Sequence, residues 1–184
     1  MLSVRELALP GVLEIVPRRH GDFRGYFSES YNRESFAQAG ITLEFVQDNH
    51  AHSVKKGVVR GFHYQLPPRA QDKLVRVARG RILDVVVDIR RSSPTFGTWL
   101  SLEISADQGN QILIPKGYAH GLITLEDQTD VLYKMTDVYS PEHERAFYFD
   151  DPALGVVWPL REQGFQMSDK DAHAPLLKDA EVFP

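Results

Sequence analysis

The 184-residue chain has no cysteine, so disulfide scaffolds, zinc-thiolate sites and thiol nucleophiles are excluded by inventory. It has no apolar run approaching the roughly 18 residues that a membrane-spanning helix needs. Its opening, MLSVRELALPG, carries charges where a secretory leader would be apolar. Positive charge is not in excess: 21 Lys and Arg stand against 25 Asp and Glu, a formal charge of −4. Such a balance gives no diffuse field for holding a nucleic acid backbone, although a local cluster of arginines would still suit a small phosphorylated ligand. Internal repeats, low-complexity stretches and linkers are also missing. The expectation is a cytoplasmic protein with no nucleic-acid or membrane partner.

What is present is ordinary globular composition, 42% hydrophobic and 25% charged, which fits one domain over residues 1–184. In ILDVVVDIR, Leu83, Val85, Val87 and Ile89 share one side of a strand, while Asp84 and Asp88 share the other with Ile82 and Val86. Gly80 separates this run from LVRVAR, and the pattern reads as successive antiparallel strands. TWLSLEIS, QILIP, GLITL and DVLYKMT continue the series. Only Asn32–Gly40, with a capping residue and a terminal glycine, and the tail after Ser168 invite helices. Many short strands with few helices predict an all-β jelly-roll barrel or sandwich with a short C-terminal helical tail, the tail from about Asp150 packing back on the barrel.

The densest polar cluster is QDNHAHS followed by VVRGFHYQ, which brings Gln47, Asn49, Arg60 and His63 onto adjacent strand-like segments. Residues two apart share a face, so Gln47 pairs with Asn49, and His63 lies opposite Phe62 and Tyr64. The polar set is either a solvated outer face or a buried side whose groups must all be satisfied. A second cluster, IPKGYAHGL, has a Pro-x-Gly-x-x-His spacing that resembles the second cupin signature. The first signature needs His-x-His and a glutamate. Here RGFHYQLPP offers His63 and Gln65 only, a poor donor set for a divalent ion, so no metal is expected.

Taken together, GDFRGYFSESYN, FVQDNHAHS, VVRGFHYQ, QDKLVRVARGRILDVVVDIRRSSPTFGTW, IPKGYAHGL, LYKMTDVYSPEHER, DPALGVVWP and SDKDAHAP resemble the dTDP-4-dehydrorhamnose 3,5-epimerase family from about Gly11 to Pro175. The resemblance implies a cupin-type jelly roll assembled as a homodimer. It also implies cofactor-free epimerisation of a dTDP-4-keto-6-deoxyhexose at carbons 3 and 5, towards activated L-rhamnose. Inverting a carbon beside a ketone needs a base, a group that stabilises the enolate and an acid on the opposite face. By position in the family motifs, His63 is the base and Asp171 its carboxylate partner, while Lys73 stands near the enolate oxygen and Tyr133 is the proton donor. Read without the family, Ser168-x-x-Asp171 is equally a helix capping box, Lys73 a strand-edge lysine and Tyr133 a core aromatic.

The same resemblance assigns Arg24, Glu29, Gln47, Asp48, Asn49, Arg60, Lys73, His120, Glu144 and Lys170 to the nucleotide-sugar site and Tyr139 to stacking on thymine. Part of each site is expected from the partner subunit's N-terminal segment. Phe23 and Val138 depart from residues common in relatives and leave open a single-carbon epimerase. A metal-dependent cupin enzyme and a noncatalytic sugar-binding jelly roll are the readings from other classes.

Overall fold

The computed structural model describes residues 2–184. Its strands in chain order are β1 (Ser3–Glu6), β2 (Leu13–Val16), β3 (Arg19–Asp22), β4 (Gly25–Ser28), β5 (Gln47–Ser53), β6 (Val59–Gln65) and β7 (Lys73–Arg79). They continue as β8 (Arg81–Asp88), β9 (Trp99–Ser105), β10 (Gln111–Ile114), β11 (Tyr118–Thr124), β12 (Thr129–Met135) and β13 (Glu144–Ala146). One antiparallel sheet has the order β1-β2-β10-β7-β12-β5 and a second has β13-β6-β11-β8-β9; β3 and β4 stand apart as a hairpin. This is the expected all-β architecture.

One expectation needs correction. The runs on either side of Gly80 are not paired neighbours: β7 lies in the first sheet and β8 in the second. Gly80 turns the chain between them at φ +78°, and a side chain there would run into Thr129. The chain repeats this crossing from β10 to β11 and again from β11 to β12, so β6 and β12, far apart in sequence, come to face one another.

The alternation along the strands is matched by three apolar layers. Between the sheets lie Val75, Val77, Ile82, Val86, Ile104, Ile112, Leu122 and Val131. The outer face of the second sheet carries Phe62, Tyr64, Val85, Val87 and Ile89, covered by Phe147, Phe149, Trp158 and Leu177 from the C-terminal part of the chain. The outer face of the first sheet is covered by Phe36 of helix α1 (Arg33–Gln38) with Tyr31 and Phe45. Because the middle of the second sheet is covered on both faces, its central strands β8 and β11 are mostly apolar and buried. The few polar residues that point inward must then be paired or functional.

Both helical expectations are met in reduced form. Asn32 caps α1 by accepting the Glu34 and Ser35 N–H groups. After Ser168 there is one turn, α2 (Asp169–Ala172), and a short 3₁₀ turn at Leu177–Asp179.

Candidate active site

Inward-facing residues at one end of the sandwich open into a cavity of about 560 Å³. The first sheet contributes Gln47 and Asn49 from β5, Lys73 from β7, and Tyr133 and Met135 from β12; the second contributes Arg60, His63 and Gln65 from β6 and His120 and Leu122 from β11. The rim carries Tyr139, Glu144, Gln166, Ser168, Lys170 and Asp171. On β6, His63 and Gln65 point into the cavity because Phe62 and Tyr64 are committed to the outer apolar layer, and a register shift on the β6–β11 ladder between His63 and Arg60 brings Arg60 to the cavity as well.

His63 and Asp171, 108 residues apart, meet with Nε2 2.6 Å from Oδ1. This leaves the other ring nitrogen for chemistry. Burial by itself would raise the Asp171 carboxyl. The His63 hydrogen bond and charge, with the Gly61 N–H and Ser168, more than offset it and hold the group below the ordinary carboxylate range. The capping alternative is also realised, since Ser168 Oγ accepts the Asp171 N–H at 3.2 Å. Asp171 uses its backbone for the cap and its side chain for His63.

Lys73 is buried, with Nζ donating to the His63 carbonyl at 3.0 Å; it is no strand-edge lysine. Burial pushes its pKa down to about 8 against the opposing pull of Asp84 and Glu144. Burial also raises the Tyr133 phenol well above its usual range, helped by the Asp84 charge and opposed by Arg60. The hydroxyl therefore stays protonated. His120 packs edge-on to Tyr133, and its Nε2 is 2.6 Å from Asp84 Oδ2.

Sequence reasoning did not single out Asp84 as a site residue. It is fully buried, and its Oδ1 has no hydrogen-bond partner among the described residues. The available signal was its place on the same strand face as Ile82 and Val86, where a carboxylate is costly to bury without partners.

The rim is held by paired amides. Gln47 Nε2 donates to Asn49 Oδ1 at 3.0 Å while its Oε1 accepts the Tyr139 N–H at 2.8 Å. Gln65 Oε1 accepts the next amide, Ser140 N–H, at 2.8 Å. Tyr139 is half exposed, its hydroxyl donating to Glu144 Oε2 at 2.8 Å, and Lys170 Nζ lies 2.6 Å from the same oxygen. Burial raises Glu144, but the Lys170 and Tyr139 bonds outweigh it and lower its pKa overall. Arg60 is fixed by donation to the His52 carbonyl at 3.1 Å, and its buried Nε has no hydrogen-bond partner among the described residues.

Three expected ligand residues lie outside the cavity of this chain. Asp48 is on the opposite face of β5 from Gln47 and Asn49, as strand alternation requires, and pairs with Lys134 at 2.9 Å. Arg24 is exposed at the tip of the β3–β4 hairpin and bonds to Asp22. Glu29 accepts from Asn32 and Ser35 at the start of α1. Among the described residues, no group of three or more His, Asp or Glu side chains is arranged to hold a metal ion, and no helix is long and apolar enough to cross a membrane.

Comparison with known proteins points to one family. Residues 6–179 match the family model described as dTDP-4-dehydrorhamnose 3,5-epimerase. The chain is 46% identical over 184 residues to the protein of that name from Pseudomonas aeruginosa, covering 100% of both. It superimposes with a TM-score of 0.92 and 42% identity on the dTDP-4-dehydrorhamnose 3,5-epimerase of Bacillus anthracis with TDP and PPi bound, covering 96% of this chain and 99% of that one. The epimerase of Legionella pneumophila in complex with dTDP-4-keto-L-rhamnose gives 0.91 at 44% identity, with 97% and 94% covered.

Proposed function

The chain belongs to the dTDP-4-dehydrorhamnose 3,5-epimerase family, and from that premise we propose that its cavity takes a dTDP-4-keto-6-deoxyhexose and inverts carbons 3 and 5. Both carbons adjoin the ketone, so one set of groups serves each inversion. His63 removes the proton, the C–H electron pair forms a double bond to carbon 4 as the carbonyl π pair moves onto the ketone oxygen, and the Lys73 ammonium stabilises the enolate oxygen so formed. Tyr133 returns a proton to the opposite face of the carbon. Solvent then takes the proton from His63 and restores the phenol, leaving an isomer with no net gain or loss of atoms. Asp171 orients the imidazole and supports its charged form.

The single observation that carries this reading is the placement of His63 and Tyr133 on facing sheets, lining one cavity that also holds a buried lysine. Base and acid on opposite walls are what inversion demands of a carbon held between them.

The nucleotide extends to the rim, with thymine on Tyr139, a stacking contact worth roughly 1 to 3 kcal/mol. Gln47, Asn49, Arg60, His120, Glu144 and Lys170 hold the rest of the ligand. Arg24, Glu29 and Asp48 act in the homodimer. The hairpin bearing Arg24 also exposes Phe23 (98%), Phe27 (74%) and Tyr26 (60%), an apolar tip suited to packing on a second copy and completing its site. The enzyme works in the cytoplasm, where activated nucleotides are made, and uses no cofactor.

Proton NMR of dTDP-4-keto-6-deoxyglucose in deuterated water tests the proposal. Deuterium is expected at carbons 3 and 5 with growth of the L-rhamno product. Exchange at one carbon alone reduces the reading to a single-carbon epimerase, and no exchange by folded protein overturns it.

A further inference from the structure

The segment that presents Asp171 is short. Helix α2 is one turn of four residues, and a helix of that length has no stability of its own because its few hydrogen bonds do not offset nucleation. Backbone hydrogen bonds anchor the chain on either side of it, at Gln166 to Gly57 and Val59 and at Pro175 to Tyr148, and within the turn the side chains of Asp171 and Lys170 link it to the rest of the fold. Asp171 reaches inward to His63, and the preceding residue, Lys170, reaches Glu144 on β13 at 2.6 Å. β13 is the neighbour of β6, with Ala146 opposite His63 and Glu144 opposite Gln65.

The contacts therefore close a circuit: His63 to Asp171, one residue back along the chain to Lys170, across to Glu144, and through the strand ladder to His63 again. The ion pair is partly solvated, with side-chain exposures of 54% for Lys170 and 22% for Glu144, so its contribution to overall stability is small. Its geometric contribution is larger. It fixes the tilt of the one turn that decides whether the Asp171 carboxylate meets the imidazole. The Tyr139 hydroxyl shares Glu144 Oε2, which joins the ligand rim to the same circuit.

We infer that Glu144 and Lys170 are positioning residues for the base: their ion pair seats Asp171 against His63, beyond any contact either makes with the nucleotide. The inference rests on the assignment of His63 as base. It makes the nucleotide rim and the orientation of the base one bonded unit, so a ligand resting on Tyr139 also steadies the catalytic pair.

The test is a double-mutant cycle read as the rate of deuterium wash-in at saturating sugar nucleotide, with dTDP affinity measured separately by calorimetry. Lys170→Met should lower the saturated rate roughly 10- to 100-fold, the scale of a misplaced catalytic group, while Lys170→Arg restores most of it. In an Asp171→Asn background the same Met substitution should change the rate less than about twofold, because what it positions is already gone. A loss of similar size in both backgrounds, or a Lys170→Met variant altered only in affinity, overturns the inference and leaves Lys170 a plain ligand contact. Parental protein with no wash-in overturns the base assignment as well, and is told apart because it fails before any substitution is made.

Discussion

Lys73 is where burial and function pull in opposite directions, and Lys73→Met separates them. Burial brings its pKa from the ordinary 10.5 to about 8, so the folded protein binds this proton less tightly than the unfolded chain does. The penalty is complete below about pH 8, fades as pH rises from there, and is largely gone at 10.5, where neither state holds the proton firmly. At pH 7 a fall of this size corresponds to about 3 kcal/mol. Methionine, unbranched and similar in length, removes the buried charge but leaves the His63 carbonyl without its donor, a loss of about 1 kcal/mol. The variant is therefore expected to be about 2 kcal/mol more stable than the parent at pH 7, as the balance of desolvation against one hydrogen bond. That advantage should disappear by pH 10.5. Activity moves the other way: without the cation the enolate loses roughly 3 to 4 kcal/mol, about a 100- to 1,000-fold fall in kcat. In the parent, activity should decline as pH rises through about 8, where the ammonium deprotonates. Paired urea denaturation at pH 7, 8.5 and 10.5, with deuterium wash-in at pH 7, measures both effects. A stability difference that does not vary with pH, or a variant less stable than the parent at pH 7, refutes the argument that Lys73 is held charged at an energetic cost.

His63→Ala should reduce wash-in by about 100- to 10,000-fold while dTDP affinity, measured by calorimetry, stays nearly unchanged; substantial residual exchange at both carbons would remove the base assignment. Tyr133→Phe keeps the ring and deletes only the acidic hydroxyl, so deuterium should still enter the starting sugar while epimerised product falls sharply. Product formed at the parental rate would make another group the donor. Gly61→Ala should lower stability by at least about 2 kcal/mol in thermal denaturation, because its Cβ would sit 2.5 Å from the His120 carbonyl oxygen and 2.7 Å from Gly121 Cα at φ +114°. An unchanged midpoint would show that β6 and β11 can part freely. Dialysis against a strong chelator should leave activity intact, and activity lost and then restored by a divalent ion would contradict the metal-free mechanism.

The site was legible in the sequence where chemistry and local geometry coincide. Period-two alternation put Gln47 with Asn49 and set His63 against Phe62 and Tyr64, and the cavity uses those faces. The same rule, applied one residue further, would have kept Asp48 off the Gln47 face. The family resemblance placed it in the ligand site, and in this chain its partner is Lys134. Asp84 was visible on an apolar strand face but carried no motif to mark it. Its role as the carboxylate behind His120 depends on β8 and β11 being neighbours, which no local pattern states.

The amino-acid sequence by itself determined the all-β class, the two faces of each strand, the capped start of α1 and the kinds of side chain available for proton transfer. These follow from backbone periodicity and side-chain chemistry, which act over a few residues. Only the tertiary structure decided that the chain crosses between sheets at Gly80, so that β6 and β12 face each other with His63 and Tyr133 between them. It also decided that Asp171 serves as cap and carboxylate partner at once, and that Lys73 sits where burial weakens its hold on a proton. The physical reason is that pairing and dielectric environment are set by residues distant along the chain, in this case 108 positions away for the His63 partner. A residue's type fixes what it can do with a proton, and its surroundings fix at which pH and against which face.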